Sequence, residues 1–226
     1  MKPGPGEPLA GPWHRVSTAE LAGKILDGAE VRAPQPADDG KRPHIVAVDG
    51  RSGGGKTTFA DRLAGAVPRS AVVHVDDVAW HAPMFEWTEL LATGVLEPLR
   101  RGEAVSYRPP AWMMRDRPGA IDVPAGLELV VVEGVGAGRR ELTDLIDVLV
   151  WVQSDYAEAE RLGIARDIES GVNGDMQATV DFWRTWMAAE VPFLERDRPW
   201  ERATIIVAGT SAHSRANSGV EASFKD

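Results

Sequence analysis

Short apolar runs alternate with longer amphipathic stretches over most of the chain. His44-Ile-Val-Ala-Val48 is an apolar run stopped by Asp49-Gly50, which predicts a buried strand. Lys56 to Ala66 follows with a helical pattern. Ala71 to Val75 predicts a second strand, ended by Asp76-Asp77. Trp87 to Arg101 predicts a helix in two pieces around Gly94. Leu127 to Val132, ended by Glu133-Gly134, predicts a third strand, and Leu145 to Val152 contains a fourth. Ala157 to Ile168 and Met176 to Leu194 predict helices, the second broken or kinked at Pro192. Thr204 to Val207 predicts a fifth strand.

The flanks differ. Ser17 to Glu30 predicts a helix opened by the capping box Ser17-x-x-Glu20, with Leu21, Ile25 and Leu26 as its apolar stripe. Residues 1–12 are rich in Gly and Pro and are expected to be a flexible lead. Ala33 to Arg42 reads as a linker. From about residue 211 the chain is small and polar, and a disordered tail is expected. Strands alternating with helices predict an α/β protein. The expectation is a five-stranded parallel sheet in three α/β/α layers. It divides the chain into a lead (1–42), one domain (43–210) and a tail (211–226).

Composition narrows the function classes. Of the 226 residues, 43% are hydrophobic and 26% charged, the balance of a soluble globular protein. The net charge of −9 argues against a nucleic-acid partner, which calls for a basic face. The absence of cysteine excludes disulfides and thiolate zinc sites. No apolar run reaches the length of a membrane span, and Met1 to Pro12 lacks the apolar stretch of a signal peptide. A cytoplasmic protein is therefore expected. Oligomeric state is left open.

The sharpest motif is Gly50-Arg51-Ser52-Gly53-Gly54-Gly55-Lys56-Thr57, which fits G-x-x-x-x-G-K-[ST] between a predicted strand and a predicted helix. Glycines let the backbone curl until successive N–H groups point at one anion, and the helix adds its positive end. The expected ligand is ATP with Mg²⁺. Gly50, Ser52, Gly53, Gly54 and Gly55 would form the cradle, Lys56 would reach the β and γ phosphates, and the Thr57 hydroxyl would ligate the metal. Thr58 either reaches the α-phosphate or is an ordinary first-turn residue.

Ligands of parallel α/β sheets sit beyond the carboxyl ends of the strands. Three predicted strands end in polar chemistry: the loop at 49–57, Asp76-Asp77, and Glu133. Phosphoryl transfer needs a cradle, a metal, and a carboxylate that orients or deprotonates the attacking hydroxyl. Asp76 is the expected base and Glu133 the expected partner of Mg²⁺. Asp77 is the alternate for either role. Asp49 is expected only to make the turn into the loop.

Val48 to Thr58, Val73-His-Val-Asp-Asp77 and Val130-Val-Val-Glu-Gly134 together resemble uridine kinase and its relatives among the P-loop small-molecule kinases, a group that includes pantothenate kinase and phosphoribulokinase. The resemblance spans roughly residues 43–210. It implies the P-loop fold with a small helical lid, a base at Asp76 and a metal-supporting acid at Glu133. It also implies lid arginines that clamp phosphates. Arg161-Leu-Gly-Ile-Ala-Arg166-Asp167 is similar to that lid pattern but one residue longer. A spacing of five puts the two arginines on different helix faces, so Arg166 is the expected clamp.

The resemblance places much of the acceptor site just after Asp76, where Trp80, His81, Phe85, Trp87, Tyr107, Arg108 and Trp112 cluster. They would either stack on a flat acceptor, with His81, Tyr107 or Arg108 fixing its polar edge, or pack as core. Trp183 and Trp186 are expected in the core. Asp77-Val78-Ala79-Trp80 departs from uridine kinases, which place a serine and then aromatics after the acid. The reading is an ATP-dependent kinase that moves the γ-phosphoryl group to a hydroxyl of a small molecule, with a nucleoside such as uridine or cytidine as the favoured acceptor. Pantothenate, a sugar phosphate and an antibiotic hydroxyl are alternative acceptors. A nucleotide-dependent switch or ATPase acting on a protein is the reading from another class.

Overall fold

The computed structural model describes residues 1–28, 42–209 and 219–225. Strand β1 (His14–Ser17) leads into helix α1 (Thr18–Asp27), capped by the Ser17 hydroxyl, which accepts the Glu20 amide at 3.1 Å. β2 (His44–Gly50), α2 (Lys56–Gly65) and β3 (Ser70–His74) follow, and then the single turn α3 (Val75–Val78). A helical run comprises α4 (Thr88–Leu91), a wide π turn (Ala92–Leu96) and α5 (Glu97–Arg100). β4 (Val105–Tyr107), α6 (Pro110–Met114) and β5 (Ile121–Val123) make a small excursion in which β4 and β5 pair. β6 (Leu129–Glu133) is followed by a 3₁₀ segment (Arg140–Leu145) and β7 (Val148–Gln153). α7 (Tyr156–Ser170), α8 (Met176–Asp197), α9 (Pro199–Arg202), β8 (Ile205–Ala208) and β9 (Gly219–Phe224) complete the chain.

The main sheet has the order β1-β9-β8-β7-β2-β6-β3. The five strands β8-β7-β2-β6-β3 are parallel, as the alternating pattern predicts. Two antiparallel strands, β1 and β9, extend it. This corrects the three-part division: the lead and the tail each contribute a strand to the one sheet. The expected disorder from residue 211 does not hold for 219–224, whose alternate residues Val220 and Ala222 are buried against the core. Residues 210–218, and the predicted linker apart from Arg42, lie outside the described residues.

Both faces of the central strands are covered. Val46, Val48, Leu129, Val131, Val148 and Val150 meet Leu21 and Ile25 of α1 and Phe59 and Leu63 of α2. Ile45, Ala47, Val130 and Val132 meet the helices between β3 and β4. Trp151 and Ile206 pack on Phe193 and Leu194 of α8 and on Trp200. Strands buried on both faces read as continuous apolar runs, which is why these were legible in the sequence.

Two expected breaks resolve differently. The helix around Gly94 is not split but widened into the π turn. A Cβ on Gly94 would stand 2.4 Å from the Tyr107 ring, so glycine lets β4 pack there. α8 continues past Pro192 to Asp197. No helix among the described residues is long and apolar enough to cross a membrane.

Candidate active site

Strand order sets the site. β6 lies between β2 and β3, with Glu133 in register with Val48 on one side and His74 on the other. The glycine loop, Glu133 and Asp76 therefore leave neighbouring strand ends together. Asp49 supports this edge from beneath. Fully buried, it accepts the backbone amides of Gly50 (2.7 Å), Gly136 (2.8 Å) and Gly138 (3.0 Å). It makes the turn into the loop, as expected, and also ties the segment after β6 to it. Burial raises its pKa to about 6, against the pull of the three amides and Lys56.

The loop is compact. The Gly54 amide (3.0 Å) and the Lys56 ammonium (3.0 Å) both donate to the carbonyl of Arg51. Gly53 has φ 72°, and a Cβ there would stand 2.0 Å from the carbonyl oxygen of Ala159 in α7, so only glycine lets the loop and that helix touch. Gly55 caps α2, and Thr58 is exposed in its first turn. Ser52 is engaged from outside the loop: its amide and hydroxyl both donate to Glu190 of α8.

Glu133 forms the centre of a small polar group. Its Oε1 accepts the Thr57 hydroxyl at 3.2 Å and lies 2.7 Å from Nδ1 of His74. Burial pushes the Glu133 carboxyl up, but the His74 bond, the charges of Lys56 and His74 and the Thr57 bond outweigh it and hold it below the usual value. The bond to Glu133 likewise raises His74, against burial. A hydroxyl and a carboxylate facing each other are the oxygen donors a hard cation such as Mg²⁺ takes. Among the described residues no group of three or more His, Asp or Glu is gathered for a metal. The set therefore fits an ion that also draws on phosphate oxygens and water. The curled glycine backbone ahead of α2 fits a phosphate chain.

Asp76 stands in the first turn of α3 and is solvent-exposed. Its pKa is raised, chiefly by desolvation and also by Glu133, while Lys56, Arg166 and His74 pull it down. The charge of Arg166, on α7, acts on Asp76. Asp167 holds the arginine, accepting from its Nε at 2.8 Å and taking the buried indole N–H of Trp183 at 2.8 Å. Arg161 instead pairs with Glu158 on its own helix, so the two arginines separate as their spacing predicts.

The aromatic block is mostly engaged within the protein. Asp77 pairs with Arg117 at 2.6 Å, whose guanidinium lies 3.7 Å from the Trp112 ring centroid and 5.1 Å from that of Trp80. Trp112 is buried and donates to the Asp77 carbonyl at 2.9 Å. Arg108 donates to the Arg117 carbonyl at 2.8 Å. Tyr107 packs over Gly94. Trp87 is buried beneath Arg139. His81 is exposed, edge-on to Trp80.

Arg117, His74 and Glu190 were missed from sequence. His74 had a signal: it is two residues from Asp76, in the strand beside Glu133. Glu190 had one too, a carboxylate in the helical stripe of Trp183, Trp186 and Phe193. Arg117 had none beyond its position after Trp112.

A glycine loop between a central parallel strand and a helix, with acids ending the next two strands on one side, β6 and β3, defines the P-loop nucleotide-binding fold. Solved structures share it. A candidate fructose transport system kinase from Silicibacter sp. TM1040 is 22% identical over 83% of this chain and 95% of its own, with a TM-score of 0.55. The D-glycerate 3-kinase of Cryptococcus neoformans is 13% identical over 84% and 94%, with a TM-score of 0.53. A possible uridine kinase from Bacillus stearothermophilus is 20% identical over 84% and 96%, with a TM-score of 0.47. At these identities the first two establish the fold. No protein-family model matches the chain, and no curated protein matches it.

Proposed function

We propose that this protein is a uridine-kinase-like P-loop kinase that moves the γ-phosphoryl group of ATP to a hydroxyl of a small molecule. The observation that carries the reading is the meeting of Lys56, Thr57, Glu133 and Asp76 at the ends of β2, β6 and β3, with the charge of Arg166 reaching Asp76. Bound Mg²⁺ would offset charge on the phosphates. Thr57 and Glu133 would hold it. Gly50, Gly53, Gly54 and Gly55 cradle the phosphate chain, with Ser52 supporting them. Asp76 accepts the proton of the attacking hydroxyl while the new oxygen–phosphorus bond forms and the bond to the ADP oxygen breaks. Lys56 and Arg166 stabilise the charge that spreads over the transferred group.

A nucleoside such as uridine or cytidine is the acceptor the sequence resemblance favours. One observation favours a non-aromatic hydroxyl metabolite instead. Arg117 already covers Trp112 and Trp80, and Tyr107 is packed on Gly94, which leaves little aromatic face for a base. Asp77, His81 and Arg108 would be the polar groups that meet such an acceptor. A cytoplasmic enzyme fits the absence of cysteine. A coupled ADP-release assay over nucleosides, sugars, sugar phosphates and hydroxy acids tests the reading. Acceptor-dependent ADP release that vanishes in Lys56→Ala supports it. ATP turnover that ignores every metabolite and responds to a protein sinks it.

A further inference from the structure

Glu190 is 0% exposed, in the C-terminal half of α8. Its Oε2 accepts the Ser52 hydroxyl at 2.6 Å, the Ser52 amide at 3.2 Å and the Trp186 indole N–H at 2.7 Å. Its Oε1 lies 3.4 Å from the same amide. Trp186 also donates to the Ser52 hydroxyl at 2.7 Å. A carboxylate buried this fully is unfavourable unless its hydrogen bonds are satisfied, and here two of the three donor groups belong to one residue of the phosphate loop.

That residue sits where a small rotation matters. Ser52 immediately precedes Gly53-Gly54-Gly55, and a phosphate loop works by aiming successive amides at one point. Glycines have no conformational preference of their own to hold that aim. Gly53 is pressed against Ala159 of α7 on one side, and Ser52 is held by α8 on the other. The loop's shape is therefore set from outside the strand–loop–helix unit.

We propose that Glu190 is a positioning residue for nucleotide binding: by gripping the amide and hydroxyl of Ser52 it fixes the pitch of the three glycines, with Trp186 as its second arm. The proposal rests on the reading that this loop takes a triphosphate. The same helix steadies two other parts of the site. Trp183 holds Asp167, the partner of Arg166, and Trp186 packs against Phe85 with ring centroids 5.2 Å apart.

The test is calorimetric titration of ATP with Mg²⁺ into the full chain, beside thermal melts without nucleotide. Glu190→Gln keeps a carbonyl oxygen for the three short bonds and is expected to bind within about 3-fold of wild type. Glu190→Leu leaves the Ser52 and Trp186 donors unpaired and is expected to bind about 10- to 100-fold more weakly. Ser52→Ala and Trp186→Phe each remove one arm and are expected to bind about 3- to 10-fold more weakly, with cooperative melts. A cooperative Glu190→Leu variant with wild-type affinity overturns the proposal. If that variant does not fold, unchanged affinity in both Ser52→Ala and Trp186→Phe overturns it. Lys56→Ala separates the two layers. Wild-type binding that Lys56→Ala abolishes, with no effect at Glu190, removes Glu190 alone. ATP binding that is absent, or unchanged in Lys56→Ala, removes the triphosphate reading and this proposal with it.

Discussion

Arg51 and Glu7 form an ion pair at 3.3 Å, with side chains 2% and 1% exposed, joining the phosphate loop to the N-terminal segment. Arg51 also donates to the Pro5 carbonyl at 2.7 Å, and its guanidinium lies over the rings of Tyr156 and Trp200. The other Glu7 oxygen accepts the indole N–H of Trp151 (2.5 Å) and the amide of Gln153 (2.8 Å). Lys2 bonds through its backbone to Asp155 and Tyr156. The lead expected to be flexible is therefore a strap fastened beneath the loop. A carboxylate six residues after Met1 carries no period and no motif, so its burial could not be read from the sequence.

Removing one member of a buried pair leaves the other charge uncompensated, at about 3–5 kcal/mol. Glu7→Ala is expected to lower stability by that amount. For a chain of this size that is on the order of 10 °C in Tm. Deleting residues 1–12 is expected to do at least as much. Thermal or denaturant melts check this, and a truncated protein with wild-type stability would show the strap to be dispensable.

Asp76→Asn keeps the size of the side chain but cannot take a proton. It is expected to bind ATP as wild type does and to lose about 10²- to 10⁴-fold in phosphoryl transfer. Because desolvation by the groups around it and the Glu133 charge raise the Asp76 pKa, the acidic limb of the wild-type rate profile is expected above the ordinary carboxylate range. An initial-rate series in pH steps measures the limb. A limb at the usual carboxylate value, or turnover intact in Asp76→Asn, removes Asp76 as base.

The parts legible in the sequence were those with a repeating signal. Val46 and Val48, or Leu129 and Val131, announce strands buried on both faces, and the loop at 50–57 announces its ligand class. The convergence of Asp76 with Glu133 was readable because parallel strands deliver their ends to one edge. β9 was not readable, because its Gly219-Val-Glu-Ala-Ser-Phe224 is short, mostly small, and borrows its stability from β8. The acceptor side stayed open at Tyr107 because an aromatic that fills the space over a glycine looks the same in sequence as one that faces a ligand.

Asp49 gives a pH signature of stability. Its pKa is raised from 3.8 to about 6, so the native state holds a proton that the unfolded chain has already lost. Stability from this group therefore falls as pH rises between about 4 and 6, by about 3 kcal/mol in all at 1.36 kcal/mol per unit. Asp49→Asn removes that slope. Its amide group faces the Gly138 N–H, or else Gly50 and Gly136, as a second donor, so the variant is expected to be less stable at pH 4. Chemical denaturation of both proteins at pH 4, 5, 6 and 7 measures the difference. Parallel stability profiles would be incompatible with the raised value.

Arg166 and Arg161 make the last contrast. Both are exposed on α7, yet only Arg166 is braced, by Asp167, whose other oxygen is held by the buried Trp183 indole. A braced guanidinium loses less freedom when it meets a phosphate than one paired flexibly at the surface. Arg166→Ala is expected to lower kcat about 10²- to 10³-fold, in the range of other donors to developing charge. Asp167→Asn and Trp183→Phe leave the cation but loosen it, and are expected to lower kcat about 3- to 30-fold. Arg161→Ala removes only a surface pair with Glu158 and is expected to change kcat less than 2-fold. Arg166 also draws the Asp76 pKa downward, so its loss moves the acidic limb of the rate profile to higher pH. A structural role for Arg166 would leave that limb in place. Equal losses at Arg161 and Arg166 would mean that the lid is read by net charge rather than by the Asp167 brace.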